Sequence, residues 1–153
     1  MHILRVNDIF LAVVLSLAVV WLAFVKGDAL YLGIWYYFAV PIVILGACAA
    51  LRPTPLFLTG TSLGIAITLL CVMSINWGAS RPEGLLGLGH VFSLPGAIIG
   101  AVLAASLAKR KFENKPFTAL LLGLSSLLIG YFINQVIICN TVMWCGPLSL
   151  PIK

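Results

Sequence analysis

The sequence predicts an all-α integral membrane protein, a bundle of about five transmembrane helices with the N-terminus inside and the C-terminus outside. Composition is the first reason. Hydrophobic residues make up 62% of the 153 residues and charged residues 8%, against the roughly 25% charge with which a soluble domain covers its surface. Mean hydropathy is +1.16. The second reason is where the charges fall: no Lys, Arg, Asp or Glu lies within 29–51, 53–80, 84–108 or 116–152. An uncharged apolar run of about 20 residues, rising 1.5 Å per residue, crosses the ~30 Å hydrocarbon core.

Five spans follow in order, at 9–25, 29–51, 56–77, 94–108 and 117–139, in a single transmembrane domain covering 1–153. The first follows Arg5 and is too long for a secretory leader. Lys26-Gly27-Asp28 follows it without a small-residue cleavage site, so it is read as a helix that stays. The same Lys-Gly-Asp break separates spans one and two. Arg52-Pro53-Thr54-Pro55 separates two and three with a charge and two residues that cannot continue a helix. A basic inner loop at 109–116 carries Lys109, Arg110, Lys111 and Lys115, and ends in Pro116.

Orientation is read from these cations. With the 109–116 loop in the cytoplasm, five spans place Arg5 and Arg52 inside with it and leave Lys26, Arg81 and Lys153 outside. Tryptophan gives an independent reading, because its amphipathic ring prefers the membrane–water interface. Trp21, Trp35, Trp77 and Trp144 all fall at the outer face under this topology, with Tyr31, Tyr36 and Tyr37 beside them.

The fourth span is the least regular. Gly84, Gly87, Gly89 and Pro95 weaken its first half. Ser93-Leu94-Pro95 reads as a capped helix start, which leaves 78–93 as an outer loop lying on or dipping into the interface.

Small residues at steps of four, Gly60 and Gly64, then Gly96, Gly100, Ala104 and Ala108, let helix backbones approach closely. Packing inside the bundle is the expected use, and a homo-oligomer face is the alternative. Span five carries Ser126, Gly130 and Asn134 on one ridge, with Gln135 alongside. Amides in hydrocarbon need partners, so Ser126, Asn134 and Gln135 are expected to hydrogen-bond across helices or to line a polar path. Cys48 and Cys71 read as small packing residues. Cys139 and Cys145 fall together at the outer face, where an oxidising compartment permits a disulfide.

Several function classes are disfavoured. No Asp, Glu, Lys or Arg falls inside a predicted span, which weakens a proton-coupled carrier. No Cys-x-x-Cys, His-Glu-x-x-His, Gly-x-Ser-x-Gly or phosphate-cradling glycine loop occurs. No enzyme, cofactor or metal site is therefore expected. The basic residues set topology and form no nucleic-acid patch. In size, hydropathy and lack of catalytic groups along its whole length, the chain resembles the small polytopic immunity proteins that bacteria use against pore-forming toxins. No motif carries the likeness, so no site residue transfers with it. The resemblance implies a non-enzymatic inner-membrane protein that binds another protein, a toxin, at the outer, periplasmic face. Trp77, Arg81, His90, Phe92 and Trp144 are the candidate contacts. The alternatives are a small oligomeric channel or passive transporter, and an accessory subunit of a membrane complex. Membrane lipid is a partner on any of these readings.

Overall fold

Backbone groups inside hydrocarbon have no water to bond, so long apolar segments satisfy themselves as helices. The computed structural model describes residues 2–28, 30–79, 84–112 and 115–142, which form five α-helices and no strand. They are α1 (His2–Lys26), α2 (Ile34–Ala50), α3 (Phe57–Gly78), α4 (Gly84–Lys111) and α5 (Pro116–Thr141). Four, α1, α3, α4 and α5, contain stretches long and apolar enough to cross a membrane, which marks a multi-pass membrane protein. The helices alternate in direction. One end of the bundle gathers Arg5, Arg52, Lys109, Arg110, Lys111 and Lys115. The opposite end carries Trp21, Trp35 and Trp77.

Helix α3 is the hub and packs on each of the other four, whereas α1 touches neither α4 nor α5. Its polar and small residues explain this: Thr59, Gly60, Thr61, Ser62, Gly64 and Thr68 are all buried. Gly60 lies so close to α5 that a β-carbon there would overlap the Leu120 carbonyl, and Gly64 packs on Leu127 and the Leu124 carbonyl. The most extensive interface joins α4 to α5. There Gly96 and Gly130 each pack against the other's carbonyl, and Gly100 against the Ser126 carbonyl. The small-residue ridges thus serve packing within the bundle.

Two predicted boundaries are corrected. Span two was expected over 29–51, but α2 begins only at Ile34. Asp28 folds the chain back by accepting hydrogen bonds from the Leu30 and Gly33 amides, at 3.0 and 2.6 Å. Tyr31 and Gly33 take left-handed φ values of 57° and 82°, which no helix tolerates. The 17 residues of α2 rise about 26 Å, short of the ~30 Å core.

The second correction concerns the outer loop at 78–93. Helix α4 starts at Gly84 and runs unbroken through Pro95. Ser93 is no cap: its hydroxyl donates back to the Gly89 carbonyl at 2.9 Å, a helix-interior bond. Gly87 is needed for contact and not for a turn, since a β-carbon there would run into the Leu30 carbonyl.

Candidate functional site

At the basic end, the sequence gives α3 no capping residue of its own. Leu56 holds the N-cap position with φ 69° and offers no side-chain acceptor. The cap comes from another helix. Asp8 of α1 is only 2% exposed, and its carboxylate accepts from the Thr59 amide at 2.8 Å, the Thr59 hydroxyl at 2.7 Å and the Leu58 amide at 3.3 Å. A negative charge at a helix N-terminus meets both free N–H groups and the positive end of the dipole. A second link follows one turn along, where Ser62 Oγ donates to the Ala12 carbonyl at 2.9 Å and meets Ser16 Oγ at 3.1 Å. Thr54 closes the same end by donating to the Ala108 carbonyl at 3.0 Å. Reading the first span from residue 9 placed Asp8 outside it. The missed signal was the Asp8, Ala12, Ser16 spacing, which puts acceptor and hydroxyl on one helical face.

At the aromatic end the Asp28 carboxylate organises the α1–α2 turn, with Tyr37 Oη donating to it at 2.7 Å as well. Burial pushes its pKa up. The opposing hydrogen bonds from Tyr37, Gly33, Leu30 and Tyr31 outweigh that and hold it below the ordinary 3.8. A lowered acid contributes stability that is complete above the ordinary value and is lost as pH falls through the lower, folded-state value. Hydrogen exchange at the Leu30 and Gly33 amides should therefore accelerate, beyond the intrinsic trend, below about pH 3.8. Asp28→Asn should remove that acid response. An unchanged profile in the variant would mean that Asp28 does not hold the turn.

The predicted site residues divide. His90 is not on an exposed loop: it is 1% exposed, between α2, α4 and α5. Its Nδ1 lies 2.6 Å from Tyr36 Oη, its ring is 5.2 Å from that of Tyr131, and its Nε2 has no hydrogen-bond partner. Phe92 is partly exposed on α4, and its carbonyl accepts from Asn134 Nδ2 at 2.6 Å. One turn of α5 thereby meets α4 twice, because Ser93 Oγ also lies against Gln135 Oε1. Gln135 Nε2 in turn donates to Cys139 Sγ at 3.3 Å. Trp77 is half-buried with Lys26 Nζ 5.5 Å above its ring, and its Nε1 is unpartnered. Ser126 bonds back to the Gly123 carbonyl at 3.3 Å, beside the α4 contact. Cys48 is buried as expected, whereas Cys71 is exposed, and Cys139 is disulfide-bonded. Arg81, Trp144 and Cys145 lie outside the described residues.

Among the described residues the most exposed aromatics at this end come from α1, α2 and the turn between them: Trp21 and Trp35 are 66% and 79% exposed. Phe24 stacks beside Trp21 with ring centroids 6.1 Å apart, and Tyr31 projects from the Asp28 turn. Among the described residues no three His, Cys, Asp or Glu side chains gather as metal ligands. No protein-family model, curated protein or solved structure matches the chain.

Proposed function

We propose that this is a non-enzymatic membrane protein that binds another protein at its aromatic end, oriented with the basic end in the cytoplasm and the aromatic end outside the inner membrane. The partner that best fits the plan is a membrane-targeting toxin, which makes the chain an immunity protein. The supporting observation is Tyr31. A bulky residue at φ 57° is strained, yet this one is exposed and the Asp28 hydrogen bonds hold its turn. Strain of this kind concentrates at recognition sites, and aromatic side chains on a fixed backbone lose little entropy on binding. Trp21, Phe24 and Trp35 are exposed at the same end of the bundle.

A second reading, an oligomeric channel, draws support from one feature. A groove of about 520 Å³ runs along α4 and α5, with Ser126 and Asn134 among its lining residues. It would become an enclosed path only if a second copy covered it.

Affinity purification from the native membrane in mild detergent, followed by mass spectrometry, tests both. A stoichiometric partner is expected, reduced at least tenfold by Tyr31→Ala with Trp35→Ala. Asn134→Leu with Gln135→Leu should retain it, at a loss of about 1–2 kcal/mol of stability from the broken interhelical bonds. Recovery of the chain alone, together with liposome flux abolished by the Asn134 and Gln135 changes, would favour the channel.

A further inference from the structure

We propose that the cleft between α1 and α2 holds one acyl chain of an anionic phospholipid, whose phosphate is bound by Arg5 and Arg52. The cleft is an open groove of about 350 Å³ that runs from Ile9 and Ala49 near the basic end to Val20 and Phe38, with Leu58 of α3 also lining it. Eleven residues of helix rise about 17 Å, so the groove is long and narrow. That admits one extended hydrocarbon chain.

The walls specify hydrocarbon. Ser16 supplies the sole hydroxyl among the lining side chains, and that hydroxyl is already donated to the Ala12 carbonyl at 2.8 Å. The space exists because Gly46 faces it: a β-carbon built there meets nothing within 4 Å.

The mouth specifies charge. Arg5 lies one turn before Ile9 on the same face of α1, and Arg52 follows Ala49 by three residues. Both are exposed. The carboxylate of the neighbouring Asp8 turns to the α3 backbone, where both its oxygens are bonded, and to neither arginine. Two exposed guanidiniums at the basic end of a hydrocarbon slot match an anionic headgroup with its chain, and basic sites between helices bind such lipids.

Native mass spectrometry of the full chain in mild detergent tests the site, with phosphatidylglycerol and phosphatidylcholine of identical chains as probes. Phosphatidylglycerol should be retained as a single adduct at least tenfold more tightly than phosphatidylcholine. Gly46→Leu fills the slot with a better helix former and should abolish that adduct while leaving the circular dichroism spectrum unchanged. Arg5→Gln with Arg52→Gln should erase the preference between the two lipids, whereas Lys109→Gln with Lys111→Gln should not. Because Arg5 and Arg52 are exposed, this pair decides the matter even if the Gly46 variant does not fold. Equal retention of both lipids by the wild type overturns the proposal. So does a folded Gly46→Leu protein that holds phosphatidylglycerol as the wild type does, or a double-arginine variant that keeps the preference.

Discussion

Gly60→Ala is expected to destabilise the bundle by about 3 kcal/mol or more, far beyond an ordinary change of one methyl group. The added carbon would overlap the Leu120 carbonyl oxygen. That oxygen belongs to the α5 backbone, so it cannot rotate away as a side-chain tip would, and the two helices would have to separate. Separation would also disturb Gly64 on Leu127 and Gly123 on Phe57, because α3 and α5 run parallel through all three contacts. Lipid supplies no hydrophobic drive to recover the loss, since membrane helices associate through close packing and hydrogen bonds. Gly46→Ala is the matched control. It adds the same methyl where nothing lies within 4 Å, and should be neutral or stabilising by about 0.5–1 kcal/mol. Unfolding in mixed detergent micelles by added dodecyl sulfate measures both. Equal midpoints for the two variants would refute backbone-to-backbone contact between α3 and α5.

Asp8→Ala should cost about 3 kcal/mol. It leaves the Leu58 and Thr59 amides and the Thr59 hydroxyl without their acceptor. A lost N-cap costs ~0.5–2 kcal/mol, and hydrogen bonds to a charged group contribute ~1.5–3 kcal/mol. Asp8→Asn keeps one acceptor oxygen and should cost about a third as much, while losing the favourable charge at the helix end. The same unfolding assay separates the two. If Asp8→Ala falls within about 0.5 kcal/mol of the wild type, the range of an ordinary surface change, the cap is supplied by something else.

Much of the architecture was legible in the sequence, because uncharged length in hydrocarbon leaves helix as the principal outcome. The Pro53-Thr54-Pro55 and 109–116 breaks mark helix ends because charge and proline act locally. What failed were positions where a residue has two possible uses. Gly84, Gly87 and Gly89 favour a loop when read singly, yet Gly87 is a contact point for the Leu30 carbonyl. Ser93 resembles a cap and is a helix-interior donor that also reaches Gln135. His90 reads as exposed in the sequence only because its segment reads as a loop, and it is buried. Asp28 looked like mere punctuation between spans, although its carboxylate shortens α2 by drawing four residues into a turn. In each case a tertiary partner many residues away, or a specific hydrogen bond, decides the outcome, and spacing along the chain does not encode it. The clamp of Asn134 on Phe92 fits the expected interhelical use of span-five amides, since the cost of a bare amide in hydrocarbon is local and can be read directly.

The cap that α1 supplies to α3 also has a meaning in time. Chain order delivers Asp8 to the bilayer before Leu58 and Thr59 are made, so the acceptor is in place when the third helix arrives. The α3 terminus then leaves the translocation machinery with its amides already matched. A rearranged gene encoding α3 ahead of α1 would send the hub helix into lipid with those amides bare until α1 followed.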